Sequence, residues 1–269
     1  MENTDKEYIL SLSYGKDSLR CLGAIRKLGL PLHRIIHVEI WATETIPADL
    51  PPMMEFKAKA DKWILDNFGI VVEHVVAKKV DGVQKDKVTY QDVFYKTHIK
   101  GQRLGTIKSF PMLKGGWCIK LKQNAMPVGK NTVQYLGIAV DEPKRVERHS
   151  KRENIILPLV EAGWTEKDCW KWCEDRGLLS PIYTTATRGG CWFCHNQGVD
   201  QLRLLRRNYP ELWKLLLKWD SDSLVTFKPD GRTVKDFDRR FELEDEGYIK
   251  QGDVFRWSML NNPYIQMEF

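Results

Sequence analysis

The sequence predicts an α/β protein built on a parallel sheet, followed by a smaller, mainly helical, cysteine-bearing C-terminal region. Three observations predict it. Apolar strand-like runs alternate with segments of helical period through the first half of the chain, the signature of βαβ units. A small loop, Ser13-Tyr14-Gly15-Lys16-Asp17-Ser18, joins the first apolar run to the first helical segment. After residue 160 the alternation stops, and helical patterns with clustered cysteines take over.

The elements follow in order. Tyr8–Ser13 is the first strand, its apolar run carried by Ile9, Leu10 and Leu12. Ser18–Leu28 is a helix, because Cys21, Ile25 and Leu28 recur at i, i+4 and i+7 and Gly29 with Pro31 closes it. Arg34–Trp41 is a second strand. Met53–Phe68 is a second helix, with Phe56, Ala60, Trp63 and Ile64 on one face. Ile70–Val76 and Val133–Val140 complete the predicted strands. Between them, a basic stretch from about 80 to 116 contains Gly82, Gly101, Gly105, Gly115 and Gly116, and reads as an insertion or lid. The pattern divides the chain into residues 1–160 and 161–269. In the second part, Thr165 followed by Asp168 marks a capped helix start, with Trp170, Cys173 and Leu178 on the side expected to be buried. A further helical stretch from Val199 to Trp219 is interrupted at Tyr209-Pro210 and carries Leu202, Leu205, Leu212 and Leu216. The last fifty residues carry no clear pattern.

A chain of 269 residues can bury a sizeable core, and 42% hydrophobic with 29% charged residues is ordinary for a globular protein. No apolar run reaches the length of a membrane span, and Met-Glu-Asn-Thr-Asp-Lys-Glu at the start lacks a signal-peptide apolar region. A cytoplasmic protein with no membrane partner is expected. Six cysteines in that compartment are expected to be reduced, so clustering points to metal or chemistry rather than to disulfides. The net charge of +6 is unevenly placed. From Lys78 to Lys130 there are twelve Lys or Arg against three Asp and no Glu. Such a segment suits a phosphate-rich partner, tRNA or DNA, and equally a solvated surface that helps recruit a nucleotide. Tyr90, Phe94, Tyr95 and Phe110 are interleaved with its charges without forming a nucleic-acid motif.

The loop at 13–18 carries the first chemical signal. A Gly-containing turn entering a helix N-terminus directs backbone N–H groups and the positive end of the helix dipole at one point, which suits phosphate. Lys16 adds a full positive charge, and the Ser hydroxyls add donors. Asp17 is acidic, so it is expected to cap the helix or to hold a magnesium ion that bridges phosphates. The spacing is not that of a Walker A loop. Taken alone, the loop also fits an ordinary βα turn.

Cys191-Trp192-Phe193-Cys194, preceded by Gly189-Gly190, is a CxxC that sits too late in the chain for a thioredoxin-like redox pair. Metal ligation leads, with Cys118 as the best third ligand and His149 as a candidate fourth. His195 adjoins Cys194 and is poorly placed to share its metal. Three thiolates with one nitrogen would hold structural zinc, whereas three thiolates on a four-iron cluster would leave one iron open. Simple burial is the third reading. Cys169 and Cys173, one helical turn apart, and Cys21 are expected in the core.

The loop resembles the PP-loop of the ATP pyrophosphatases, Ser-Gly-Gly-Lys-Asp-Ser, with Tyr14 standing where that pattern has its first Gly. With it, Trp117-Cys118 followed by Lys120 and Lys122, Gly137–Arg145, and Gly190–Cys194 resemble the phosphoadenosine-phosphosulfate reductase-like family of that superfamily. Leu157-Pro158-Leu159 and Gly163-Trp164-Thr165-Glu166 resemble the same family's cysteine-bearing half. Ala139 replaces an Arg that is usual in that family, whereas Glu142 and Arg145 match. The resemblance implies an adenine nucleotide α-hydrolase-like fold for residues 1–160. It implies nucleotide contacts at Ser11, Ser13, Tyr14, Gly15, Lys16, Asp17, Ser18, Gly137, Glu142 and Arg145, with Lys16 and Asp17 catalytic. It also implies a metal group on Cys118, Cys191 and Cys194. Lys16-Asp17 is retained and the tail Asn262–Phe269 has no cysteine, both of which favour ATP over a sulfonucleotide. The expected reaction is ATP-dependent adenylylation with release of pyrophosphate, assisted by Mg2+, in the service of sulfur transfer to a nucleic acid or nucleotide. An iron–sulfur cluster would carry the sulfur, and a sulfur-donor protein would be a partner. The alternatives are a sulfonucleotide reductase and a non-catalytic nucleotide-binding module with structural zinc.

Overall fold

The computed structural model describes residues 6–80, 82–98, 105–111, 116–185, 190–250, 255–257 and 260. Gly101, Gly115, Gly189 and the tail at 262–269 lie outside them. The strands are β1 (Glu7–Ser11), β2 (Arg34–Glu39), β3 (Val72–Val76), β4 (Lys79–Val80), β5 (Val83–Gln84), β6 (Tyr95–His98), β7 (Gly105–Lys108), β8 (Thr132–Tyr135) and β9 (Ile155–Ile156). The helices are α1 (Lys16–Leu28), α2 (Pro51–Phe68), α3 (Tyr90–Phe94), α4 (Trp117–Ala125), α5 (Pro143–Ser150) and α6 (Pro158–Glu161). They continue with α7 (Glu166–Glu174), α8 (Ile182–Thr185), α9 (Val199–Asn208), α10 (Pro210–Asp222) and α11 (Val234–Asp245).

Two compact units result: residues 1–89 with 118–189, and residues 90–117 with 190–269. The expected boundary at 160/161 thus falls inside the first unit. The segment read as an insertion or lid is divided, and most of it belongs with the C-terminal residues. The reason is its aromatic content. Tyr90, Phe94 and Phe110 are buried in the second unit rather than displayed between lysines. Tyr90 packs on Trp117, Phe193 and Trp219 with ring centroids 5.0, 4.2 and 4.9 Å away. Tyr95 donates to Asp222 at 2.6 Å.

The first unit is an α/β domain. Its five-stranded sheet has the order β3-β2-β1-β8-β9, and every pairing is parallel. Parallel neighbours need crossovers, and α1 and α2 supply those from β1 to β2 and from β2 to β3. The core includes Leu10, Leu12, Leu19, Leu22, Ile35 and Ile64. Phe56, Ala60 and Ile64 bury the predicted face of α2, with Trp63 partly covered. α2 starts at Pro51, two residues before the predicted Met53, because proline is preorganised for the first helical position. The predicted strand at 133–140 ends at Tyr135, since residues 136–142 turn tightly, with Ile138 N–H on Leu136 O and Glu142 N–H on Ala139 O. α7 has the expected capping box between Thr165 and Asp168. Cys169, Cys173 and Cys21 are fully buried, as expected of core thiols.

The second unit combines the antiparallel hairpin β6–β7 with α3, α9, α10 and α11. The break at Tyr209-Pro210 separates α9 from α10 as the sequence indicates. α11 lies in the stretch that carried no clear pattern. It opens with a capping box between Thr233 and Asp236, the same Thr-x-x-Asp signal as α7. No described helix is long and apolar enough to cross a membrane.

Candidate functional site

In the first unit the chain runs outward from β1 through β2 to β3, then returns to place β8 on the other side of β1. The strand order therefore reverses between β1 and β8, and α/β proteins bind ligands outside the strands' carboxyl ends at such a point. The loop of residues 12–15 leaves β1 here, and the turn of 136–142 leaves β8 beside it.

The turn of 136–142 meets the first turn of α1, directly after that loop. A Cβ added at Gly137 would lie 2.7 Å from the carbonyl carbon and oxygen of Asp17 and from Ser18 Cα. Only glycine admits this approach. The sequence therefore brings together the two stretches it singled out, Ser13–Ser18 and Gly137–Arg145.

Within the loop, Ser18 Oγ accepts from Ser13 N–H at 3.2 Å and from Ser13 Oγ at 3.0 Å, and donates to Gly15 O at 3.0 Å. Gly15 is the N-cap of α1 and makes no side-chain cap. Asp17 therefore does not cap the helix. Its carboxylate accepts from Lys16 Nζ at 2.7 Å, and Lys16 Nζ also reaches Glu166 Oε1 at 2.9 Å. Burial opposes the charge on Lys16, but hydrogen bonds to Asp17 and Glu166 outweigh it and hold the ammonium above its ordinary range. Burial raises the Asp17 carboxyl, and Lys16 counteracts only part of this. The Lys16 backbone N–H donates to Tyr183 Oη at 3.0 Å.

Asp17, Glu142 and Glu166 each offer a carboxylate oxygen within 4.8 Å of the others. Three hard oxygen donors at this spacing suit Mg2+ or another divalent cation. Glu142 is oriented by the Ala139 N–H at 3.2 Å and by a short contact with Arg145. Glu166 is oriented by its backbone N–H, which donates to Asp141 Oδ1 at 3.0 Å. Arg145 is half exposed. Ser11 ends β1, Ser13 is exposed and Gly15 half-buried.

Tyr14 occupies an unexpected place. Its phenol is fully buried, so among its groups only the main chain can face a loop ligand. It has φ +57°, and among the described residues it is the non-glycine with positive φ.

The thiols expected to hold a metal fall in different units, Cys118 in the first and Cys191 with Cys194 in the second. All three are half-buried. Cys191 and Cys194 share one tight turn, with Cys194 N–H on Cys191 O at 3.0 Å and Gln197 Nε2 on the same carbonyl at 2.9 Å. Lys228, itself buried, donates Nζ to the carbonyls of His195 and Gln197, and burial pulls its ammonium down to about 8. His149 sits in the last turn of α5, and burial among Arg152, Arg145 and Arg148 lowers its titration.

Sequence reasoning did not assign Glu166, Tyr183 or Asp141 to the site. Glu166 was legible as a helix start and within the stretch Gly163–Glu166, and Asp141 within Gly137–Arg145, but neither was given a role there, and Tyr183 carries no local signal. Comparison with protein-family models and with curated proteins gave no match to the chain.

Proposed function

We propose that the chain is an ATP-dependent PP-loop enzyme of the phosphoadenosine-phosphosulfate reductase-like kind, which adenylylates a substrate and releases pyrophosphate. The observation that carries this reading is the juxtaposition at the switch point of the sheet: loop 13–18 with Lys16, against Gly137, beside three carboxylates. An α-helix N-terminus and a lysine favour the phosphates. A substrate oxygen attacks the α-phosphorus, the bond to the β-phosphate oxygen breaks, and pyrophosphate departs. Lys16 and the loop amides stabilise the charge that gathers on that leaving group. Asp17, Glu142 and Glu166 are the residues that would hold Mg2+, which supplies charge neutralisation at the phosphates.

Adenylylation turns a poor leaving oxygen into a good one, so a sulfur nucleophile can then displace AMP. Cys191 and Cys194, which share one turn, are proposed as ligands of an iron–sulfur cluster, which would supply sulfur, or of zinc in its place. The acceptor is proposed to be a tRNA, DNA or a nucleotide, met by the basic residues between Lys78 and Lys130, with a sulfur-donor protein as partner and a cytoplasmic setting.

The test is pyrophosphate release from MgATP by the full chain, with tRNA, DNA or nucleotides as acceptor. Lys16→Ala should lower the rate by about a hundredfold or more, the loss typical of removing one transition-state donor. Absence of ATP binding by the unaltered chain at millimolar nucleotide refutes the reading. Metal analysis of anaerobically purified protein separates iron from zinc.

A further inference from the structure

Tyr14 stands in a conformation that L-residues avoid at a cost of roughly 1–2 kcal/mol. A tyrosine is retained there only if its side chain over-determines the backbone. The phenol O–H donates to Asp61 of α2, and the Nε2–H of His74 on β3 lies 2.9 Å from Asp61 Oδ2 and 3.1 Å from Tyr14 Oη. His74 Nδ1–H donates in turn to Glu39 Oε1 at 2.9 Å, and Trp41 Nε1–H to Glu39 Oε2 at 3.0 Å. Hydrogen bonds to Asp61 and Glu39 lift His74 to about 9, so its imidazolium holds both carboxylates.

A second tether lies alongside. His37 Nδ1–H donates to Leu12 O at 2.9 Å, while Lys57 Nζ, paired with Asp49, donates to His37 Nε2 at 2.7 Å. The His37 ring meets the Tyr14 ring edge-on at 4.7 Å, and Lys57 Nζ lies 5.4 Å from the Tyr14 ring centroid. Burial and the Lys57 charge push His37 down to about 3, which keeps it neutral and suited to bridge a carbonyl and an ammonium. The loop is thus gripped at Leu12 and Tyr14 from the same side, by groups on β2, β3, α2 and the segment before α2.

We infer that Tyr14 is a positioning residue: its hydroxyl, clamped by Asp61 and His74, sets the backbone of loop 13–18 so that its amides converge on phosphate. This rests on the reading of that loop as a phosphate site. The clamp replaces the conformational freedom of a glycine with a side chain fixed from below. None of these groups needs to touch the ligand.

The experiment compares the full chain with Tyr14→Phe, which keeps the ring and loses the hydroxyl, and with Asp61→Asn, which keeps an acceptor for it. MgATP affinity is measured by calorimetry, and amide hydrogen exchange is measured in the ligand-free proteins. Tyr14→Phe should weaken ATP about tenfold and accelerate exchange in residues 12–19 about tenfold, leaving α11 unchanged, as expected for one lost buried hydrogen bond. Asp61→Asn keeps an acceptor for the hydroxyl but turns an amide donor toward His74, so it should fall between the unaltered chain and Tyr14→Phe in both. Equal ATP affinity and equal loop exchange in Tyr14→Phe overturn the inference, as does a loss in Asp61→Asn that equals that of Tyr14→Phe. If the unaltered chain binds no ATP, the functional reading fails. The clamp is then decided by exchange alone: acceleration confined to 12–19 supports it, and unchanged exchange overturns it.

Discussion

Replacing Gly137 by alanine tests whether the turn after β8 truly bears on the first turn of α1. The added Cβ would sit 2.7 Å from three backbone atoms of Asp17 and Ser18, whereas ordinary contact begins at 3.4 Å. The turn or the helix must therefore retreat by about 0.7 Å to restore ordinary contact. Because the obstacles are backbone, no rotamer change relieves them. Overpacking costs about 1–3 kcal/mol, and a rigid helix turn places this case at the upper end. For a chain of this size each kcal/mol lowers the melting temperature by about 2–4 °C, so a fall of roughly 6–12 °C is expected. Gly129→Ala is the control, since its added Cβ meets Thr132 Oγ1 at an ordinary 3.6 Å. That change should shift melting by less than about 2 °C, corresponding to about 0.5 kcal/mol. Scanning calorimetry of both variants decides the matter. If Gly137→Ala melts with Gly129→Ala, the close approach is not real, and the site built on it fails. Where the helix yields rather than the turn, loop 13–18 moves with it, and MgATP affinity should fall as well.

The histidines beneath the loop give a pH dependence of opposite sign on either side of neutrality. His74 titrates near 9 when folded against 6.5 in the open chain, so its ion pairs stabilise fully below pH 6.5 and are lost as pH rises through 9. His74 is partly exposed, which discounts this to about 1 kcal/mol. His37 titrates near 3 against 6.5, so its neutral form favours folding above pH 6.5 and destabilises as pH falls below it. Urea midpoints measured from pH 5 to 10 should therefore decline on the alkaline side, and His74→Gln should flatten that limb. An unaltered alkaline limb in His74→Gln would remove the imidazolium from the clamp. In the second unit, Arg203 and Glu244 form a nearly fully buried pair that Arg240 joins at 3.0 Å. Glu244→Ala takes the buried carboxylate from Arg240 and leaves Arg203 only its pair with Asp200, and should cost about 3 kcal/mol, against about 0–1 for Asp230→Ala at an exposed pair with Arg232. Equal denaturation midpoints for the two variants would show that the buried pair does not carry its unit.

Strand–helix alternation, the closing Gly29 of α1, the capping box of α7 and the break at Tyr209-Pro210 were legible because each depends on residues within one or two turns of each other. The same signal at Thr233–Asp236 was present, with Val234, Phe237 and Phe241 recurring at i, i+3 and i+7, yet α11 went unread. The aromatic residues between 90 and 110 misled in the opposite way. Interleaved with lysines they resemble a surface, yet the packing of Tyr90 against Phe193 and Trp219 needs partners more than a hundred residues away.

For the site, Ser13–Ser18 and Gly137–Arg145 could be picked out one at a time, because turn chemistry and charge are written locally. That they touch depends on β8 returning beside β1, a pairing of residues 125 apart that no periodicity encodes. Glu166 enters the carboxylate group only through the placement of α7. Tyr14 looked like an irregularity in a phosphate loop. The tertiary structure makes it the loop's anchor, because a left-handed tyrosine persists only where Asp61 and His74 hold its hydroxyl. Local pattern determined that this chain folds as an α/β protein with a phosphate-suited turn. Long-range packing decided which side chains close on that turn, since hydrogen bonds between distant residues exist only once the sheet has set their distances.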